Sequence, residues 1–224
     1  WSIFKMKEIV NVYPKNLGWI QAKLDEKEID YLWKCIDKKQ DNIKNILVGQ
    51  INSSYRIIDK DNWFFINVLS ELGREYESKF SNLGLRVPIA NQLSYCLTDM
   101  WVNYQKQYEF NPLHDHTGIY SFVVWMKIPT EYKDQKEISI AKKTNTNVIS
   151  NFCFNYQSIL GGSREYVYEM CKKMEGTILF FPSQLQHTVY PFYNCEEDRI
   201  SISGNIGYFV DAMNSPFNVF SSQS

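Results

Sequence analysis

The chain has 224 residues, 44% hydrophobic and 16% aromatic, enough apolar material for one packed core. Its formal net charge of −1 gives no electrostatic footprint for duplex nucleic acid or an anionic membrane surface. No apolar run approaches the ~20 residues of a membrane-spanning helix. The five cysteines (Cys35, Cys96, Cys153, Cys171 and Cys195) are odd in number and widely spaced. With no C-x-x-C pair, neither a zinc ribbon nor a disulfide framework is indicated. Reduced thiols and the lack of a visible signal peptide point to the cytoplasm. The sequence begins at Trp1 rather than Met, which leaves room for residues upstream.

In chain order, the first third reads as helical. Within 27–40, Ile29, Leu32, Trp33 and Ile36 recur at i, i+3, i+4, i+7 between charged flanks. A second helix is predicted from Asp61 as N-cap, turning Phe64, Phe65, Val68, Leu69, Leu72, Tyr76 and Phe80 inward. Asn82-Leu83-Gly84 stops it. Both helices are expected to cover a sheet.

From Arg86 onward the texture changes to short β-branched and aromatic runs. Candidate strands are 91–97, 100–105, 119–128, 148–156, 164–170, 177–181, 187–192 and 199–208. Segment 129–147 is polar, long and lysine-rich, and reads as a flexible excursion, either an active-site lid or a tolerated surface insertion. The expected fold is mainly β (α+β): one domain over 1–224, with 1–85 as helical support and 86–210 as a jelly-roll core.

The chain has only three histidines, and their order is informative. His114 and His116 lie in Asn111-Pro112-Leu113-His114-Asp115-His116-Thr117-Gly118, and His187 follows in Phe181-Pro182-Ser183-Gln184-Leu185-Gln186-His187. On a strand, residues two apart face the same way with Cα atoms roughly 6.6 Å apart, so His114 and His116 can take adjacent positions on one metal ion. Asp115 faces away, and His187 must come from another strand. An isolated H-x-H is more often structural than metal-binding. Here Arg199-Ile200-Ser201 follows in order, placing a guanidinium and a hydroxyl on one face. A dicarboxylate that chelates a metal through a 2-oxo acid group needs such an anchor for its distal carboxylate. The competing reading pairs Arg199 with Glu196, Glu197 or Asp198.

The order H-x-H, Pro-x4-His, Arg-x-Ser resembles the iron(II)- and 2-oxoglutarate-dependent oxygenases, most closely members encoded by phages of aquatic bacteria. The likeness rests on Trp101-Val102-Asn103-Tyr104, on 111–116, on 180–192 and on 199–205. It implies a double-stranded β-helix with Fe(II) at its open end and 2-oxoglutarate and O2 as cosubstrates. The activity implied is a hydroxylase acting on an unidentified prime substrate. His114, His116 and His187 would hold the metal, Arg199 and Ser201 the distal carboxylate, and Tyr104 would line the cosubstrate pocket or pack as core.

One departure is His116, where the superfamily carries Asp or Glu. Three neutral imidazoles leave the ion its full charge. In a variant like the halide-binding oxygenases, His116 would stand outside the ligand set. Two alternatives remain. A cupin fits Gly176-x5-Pro182-x4-His187 but has Tyr120 and Ser121 where a Glu is needed, Gln184 for Gly and Pro191 for Asn. A non-catalytic jelly-roll module would use a metal only to staple strands.

Overall fold

The computed structural model describes residues 10–88 and 93–209. Strand β1 (Ile20–Lys23) leads into α1 (Glu26–Asp37). The helix is started by a capping box: Glu28 N–H donates to Asp25 Oδ1 and Asp25 N–H to Glu28 Oε2, both at 2.8 Å. Its stripe buries Leu32, Cys35 and Ile36, and it stops at Asp37, short of the 40 expected.

After β2 (Ser53–Arg56) the second helix is capped by Asp59, not Asp61. The two Asp59 oxygens accept from Phe64 N–H (2.9 Å) and Phe65 N–H (2.8 Å), and Oδ1 also accepts from Tyr31 O–H (2.6 Å). Asp61 sits in the preceding turn at φ 57. A π-helical turn over Phe65–Leu69 runs into α2 (Ser70–Lys79). Phe64, Val68, Leu69 and Tyr76 are buried, Phe65 and Leu72 partly so, whereas Phe80 is at the surface. Asp59→Ala should therefore lower unfolding free energy by about 2 kcal/mol, because two helix amides and a phenol lose one acceptor. Asp61→Asn should stay within about 0.5 kcal/mol of wild type in the same urea titration.

The remaining elements are β3 (Tyr95–Gln105), β4 (Asn111–His114), β5 (Tyr120–Lys127), α3 (Tyr132–Gln135), β6 (Phe152–Gln157), β7 (Ser163–Tyr168), β8 (Thr177–Pro182), β9 (Gln186–Val189) and β10 (Arg199–Tyr208). They build a six-stranded sheet, β1-β8-β5-β10-β3-β2, opposed to a four-stranded sheet, β4-β9-β6-β7, with neighbours antiparallel throughout. Alternation divides the larger sheet. Val102, Phe122, Val124, Ile178, Phe180, Ile200 and Ile202 pack with the helices. Val123, Trp125, Leu179 and Phe181 pack toward Phe152, Phe154 and Val189 of the second sheet. This is the expected jelly roll buttressed by helices.

Several expectations are corrected. The N-terminal third also supplies β1 and β2, the two borders of the large sheet. Segments 91–97 and 100–105 are not two strands: β3 is continuous over Tyr95–Gln105, and residues 91 and 92 lie outside the described residues. Asn205 pairs with Asp99 and Ile206 with Leu97, so Thr98 is a bulge, and its hydroxyl donates to Asn205 O at 3.0 Å. The strand expected at 148–156 begins only at Phe152. Segment 129–147 is not a loose excursion. It contains α3, buries Tyr132, Gln135 and Ala141, and is tied to Tyr193, whose O accepts from Gln135 Nε2 and whose N–H donates to Gln135 Oε1, both at 2.8 Å. Polar composition hid those tertiary bonds.

Candidate metal centre

The metal-type residues converge because two strands pair in one register. In the β4–β9 ladder His114 stands opposite His187, so both rings leave the same face, their centroids 4.2 Å apart. His116 does not share that strand, contrary to expectation, since β4 ends at His114. It lies on the following loop, held by its N–H donating to Ser183 O at 2.8 Å. Gly118 makes this loop possible. It has φ +104, and a Cβ there would stand 2.8 Å from Ile206 O. The buried Ser121 and Ser183 hydroxyls (2.9 Å apart), with Ser121 donating to Asn205 Oδ1 at 2.9 Å, tie β5 and β10 to the turn that follows β8.

The potential ligand atoms of His114, His116 and His187 all lie within 4.8 Å of one another. His116 Nε2 is 3.2 Å from His187 Nε2, the separation of two neighbouring nitrogens bonded to one ion at about 2.1 Å. His114 Nδ1 is 2.7 Å from Pro112 O and His187 Nδ1 is 3.0 Å from Leu185 O. A carbonyl only accepts, so these nitrogens carry the proton and Nε2 of each ring presents its lone pair. Burial pushes His187 well below the ordinary imidazole range, lowers His114, and brings His116 down to about 4. All three rings are thus neutral at pH 7, as ligation requires. Asp115 is exposed and outside this group. Phe152 and Phe181 wall His187 with ring centroids at 5.5 and 5.2 Å, and Trp101 stands 5.8 Å from His116.

A cavity of about 250 Å³ opens from the three rings along β10, lined by Asn205, Ser203 and Ser201. Arg199 follows on the same face by alternation, 1% exposed. Its Nη2 donates to Ser150 O at 2.7 Å, its Nη1 to Gln105 Oε1 at 3.4 Å, and its plane lies 4.9 Å over Phe192. Nε has no partner among the described residues. The acidic candidates are engaged elsewhere: Glu196 with Gln107, Glu197 with Lys127 and Asp198 with Lys106. Burial without a carboxylate pulls the guanidinium down to about 9. Among the described residues Arg199 is a buried cation with no anionic partner.

Tyr104 does not line the cavity. Alternation on β3 turns Asn103 inward and Tyr104 outward, where its ring meets Tyr55 at 6.0 Å and Lys39 Nζ at 5.7 Å. Four further residues belong to the site: Asn103, Gln105, Ser150 and Trp125. Alternation about Tyr104 would have found Asn103 and Gln105. Ser150, in a turn at φ 62, had no signal. Segment 129–147, read as either a lid or a surface insertion, lines no part of the cavity. A strap over 43–49 does, through Ile43, Ile46, Leu47, Val48 and Gly49, and it is pinned where Gln50 N–H donates to Phe110 O at 2.8 Å.

Two opposed sheets with three imidazoles in one strand-and-loop cluster define a jelly roll carrying a group of residues that could hold a metal ion. Residues 99–205 match the family model described as “Putative 2OG-Fe(II) oxygenase”, a stretch that contains all three histidines and Arg199. Over that stretch, a little under half of its length, the chain is similar to the iron(II)- and 2-oxoglutarate-dependent oxygenases, oxidoreductases whose cofactors are Fe(II), 2-oxoglutarate and O2. The fold is shared with a Burkholderia pseudomallei oxidoreductase of the 2OG-Fe(II) oxygenase family at TM-score 0.51 and 11% identity, over 85% of this chain and 84% of that one. A Pseudomonas putida prolyl-4-hydroxylase aligns at TM-score 0.49 and 13% identity, over 86% and 92%. A Trichoplax adhaerens prolyl hydroxylase, solved with a hypoxia inducible factor peptide fragment, aligns at 0.48 and 13%, over 86% and 83%. No curated protein sequence matches the chain. Among the described residues no helix is long and apolar enough to cross a membrane.

Proposed function

We propose that His114, His116 and His187 hold the ferrous ion, that Arg199 and Ser201 hold the distal carboxylate of 2-oxoglutarate, and that the chain hydroxylates a C–H bond of a prime substrate in the cytoplasm. The observation that carries this reading is the buried, acid-free guanidinium on the face that runs down from the three imidazoles. Burying an unpaired charge is costly, and a strand-stapling metal would need no such group. A diacid bound at the metal supplies the missing anion.

With the ferrous ion and 2-oxoglutarate bound, O2 would supply the oxidising power, one of its atoms going to succinate as 2-oxoglutarate loses CO2 and the other to the substrate. The chain's own residues do the rest. The carbonyls of Pro112 and Leu185 fix which nitrogen of His114 and His187 faces the ion. Arg199 offers a two-pronged match to a carboxylate, and Ser201 adds a hydroxyl donor. Phe152, Phe181 and Trp101 exclude water around the rings. We assign the prime-substrate entrance to the 43–49 strap, whose Ile46 and Val48 are 63% and 53% exposed at the cavity mouth. We take 1–224 as a single domain, because the N-terminal helices and border strands complete the barrel wall.

The test is anaerobic addition of Fe(II) and 2-oxoglutarate, followed by air. A weak visible charge-transfer band and then release of succinate are expected. A silent titration with no succinate would overturn the assignment.

A further inference from the structure

We propose that Trp125 is a donor to the distal carboxylate of 2-oxoglutarate, its indole N–H acting beside Arg199 and Ser201. This rests on the cosubstrate reading above and names a residue that makes the site selective for a diacid.

Trp125 is 1% exposed and lines the cavity. Its Nε1–H is buried and has no hydrogen-bond partner among the described residues. Buried indole N–H groups normally find an acceptor, and phenylalanine would fill much of the same space without an unsatisfied donor. The strand register places the residue. Ser201 of β10 pairs with Trp125 of β5, while Ile200 pairs with Lys127, leaving Met126 as a bulge. The bulge keeps Trp125 on the inner face beside Ser201 and sends Met126 into the helix-side core. Phe152 packs against both it and the metal centre, its ring 5.6 Å from Trp125 and 5.5 Å from His187. A carboxylate has about four lone-pair positions, so a two-pronged guanidinium leaves room for a hydroxyl and an indole N–H. Two buried donors without a partner among the described residues thus lie on the inner face: Trp125 Nε1 in the cavity lining, and Arg199 Nε two residues along β10 from Ser201 of that lining.

The test uses the full chain loaded with zinc, which is diamagnetic and does not turn over. Binding of 2-oxoglutarate is compared by calorimetry with 2-oxopentanoate, the same five-carbon acid with a methyl in place of the distal carboxylate. Trp125→Phe should weaken 2-oxoglutarate about 10-fold, the effect of one hydrogen bond to a charged group, and change 2-oxopentanoate by less than about twofold. In the wild type the Trp125 indole proton, assigned by its contacts with the Phe152 ring, should move downfield with 2-oxoglutarate and stay put with 2-oxopentanoate. That measurement stands even if the variant fails to fold. Equal weakening of both acids, or an unmoved indole resonance, would overturn the role of Trp125 while leaving the cosubstrate site intact. A wild-type protein that binds neither acid would remove the site itself, and this inference with it.

Discussion

Arg199→Met should give a protein at least as stable as the wild type without ligand, but with affinity for 2-oxoglutarate lower by about two to three orders of magnitude. The two effects share one cause. Arg199 is 1% exposed and, among the described residues, has no carboxylate partner and no acceptor for Nε. Its bonds to Ser150 O and Gln105 recover only part of the hydration it lost. Met has comparable length, packs against Phe192 and carries no charge, so the exchange removes a buried cation at little packing cost. The diacid loses a two-pronged charged contact worth about 3–4 kcal/mol. Thermal unfolding without ligand and calorimetry on the metal-loaded protein measure the two halves. A variant that unfolds well below wild type would show that the arginine is structural.

His187→Ala should abolish metal-dependent stabilisation. Wild-type protein at a metal concentration about 1,000 times Kd should gain about 4 kcal/mol on adding ferrous ion or zinc, and the variant should gain almost nothing. His187 is the hub of the site, opposite His114 across the β4–β9 ladder and 3.2 Å from His116. Removing it leaves only His114 and His116 of the three imidazoles that could hold the ion. Unfolding temperatures with and without metal provide the measurement, and a variant that keeps a metal-dependent rise would displace His187 from the ligand set.

What was legible in the sequence followed the length of each signal. The Arg199–Tyr208 strand alternates over ten residues, with Ile200 and Ile202 outward and Ser201 and Ser203 inward, and its bounds were read correctly. The three histidines were legible because they are the only ones in the chain. Most of the shortest elements were not, β9 excepted. Strands β1, β2 and β4 have four residues each, too few for a period to emerge from local composition. His116 was placed on a strand because alternation explains its spacing from His114, whereas Gly118 and Ser183 bring it inward through a loop. Asp59 lost to Asp61 as the expected cap because only the fold brings Tyr31 to it. Of the two places open to Tyr104, pocket lining by resemblance or core packing, alternation selects the second, because it sets Asn103 and Gln105 inward and Tyr104 against the helix-side core.

The borders of the large sheet carry a consequence for how this protein can be divided. Ile20 pairs with Phe180 and Ser53 with Tyr104, so the first and last strands of that wall come from the segment preceding the matched stretch 99–205. Excising those residues would strip both margins at once, leaving β8 and β3 with unpaired amides and carbonyls that invite association between copies. The helices that roof the same wall would go with them, uncovering Phe122, Val124 and Ile202. The stretch bearing the chemistry is therefore no autonomous unit. During synthesis β1 must also wait until β8 has left the ribosome, a long-range closure that slows folding and leaves an open edge meanwhile.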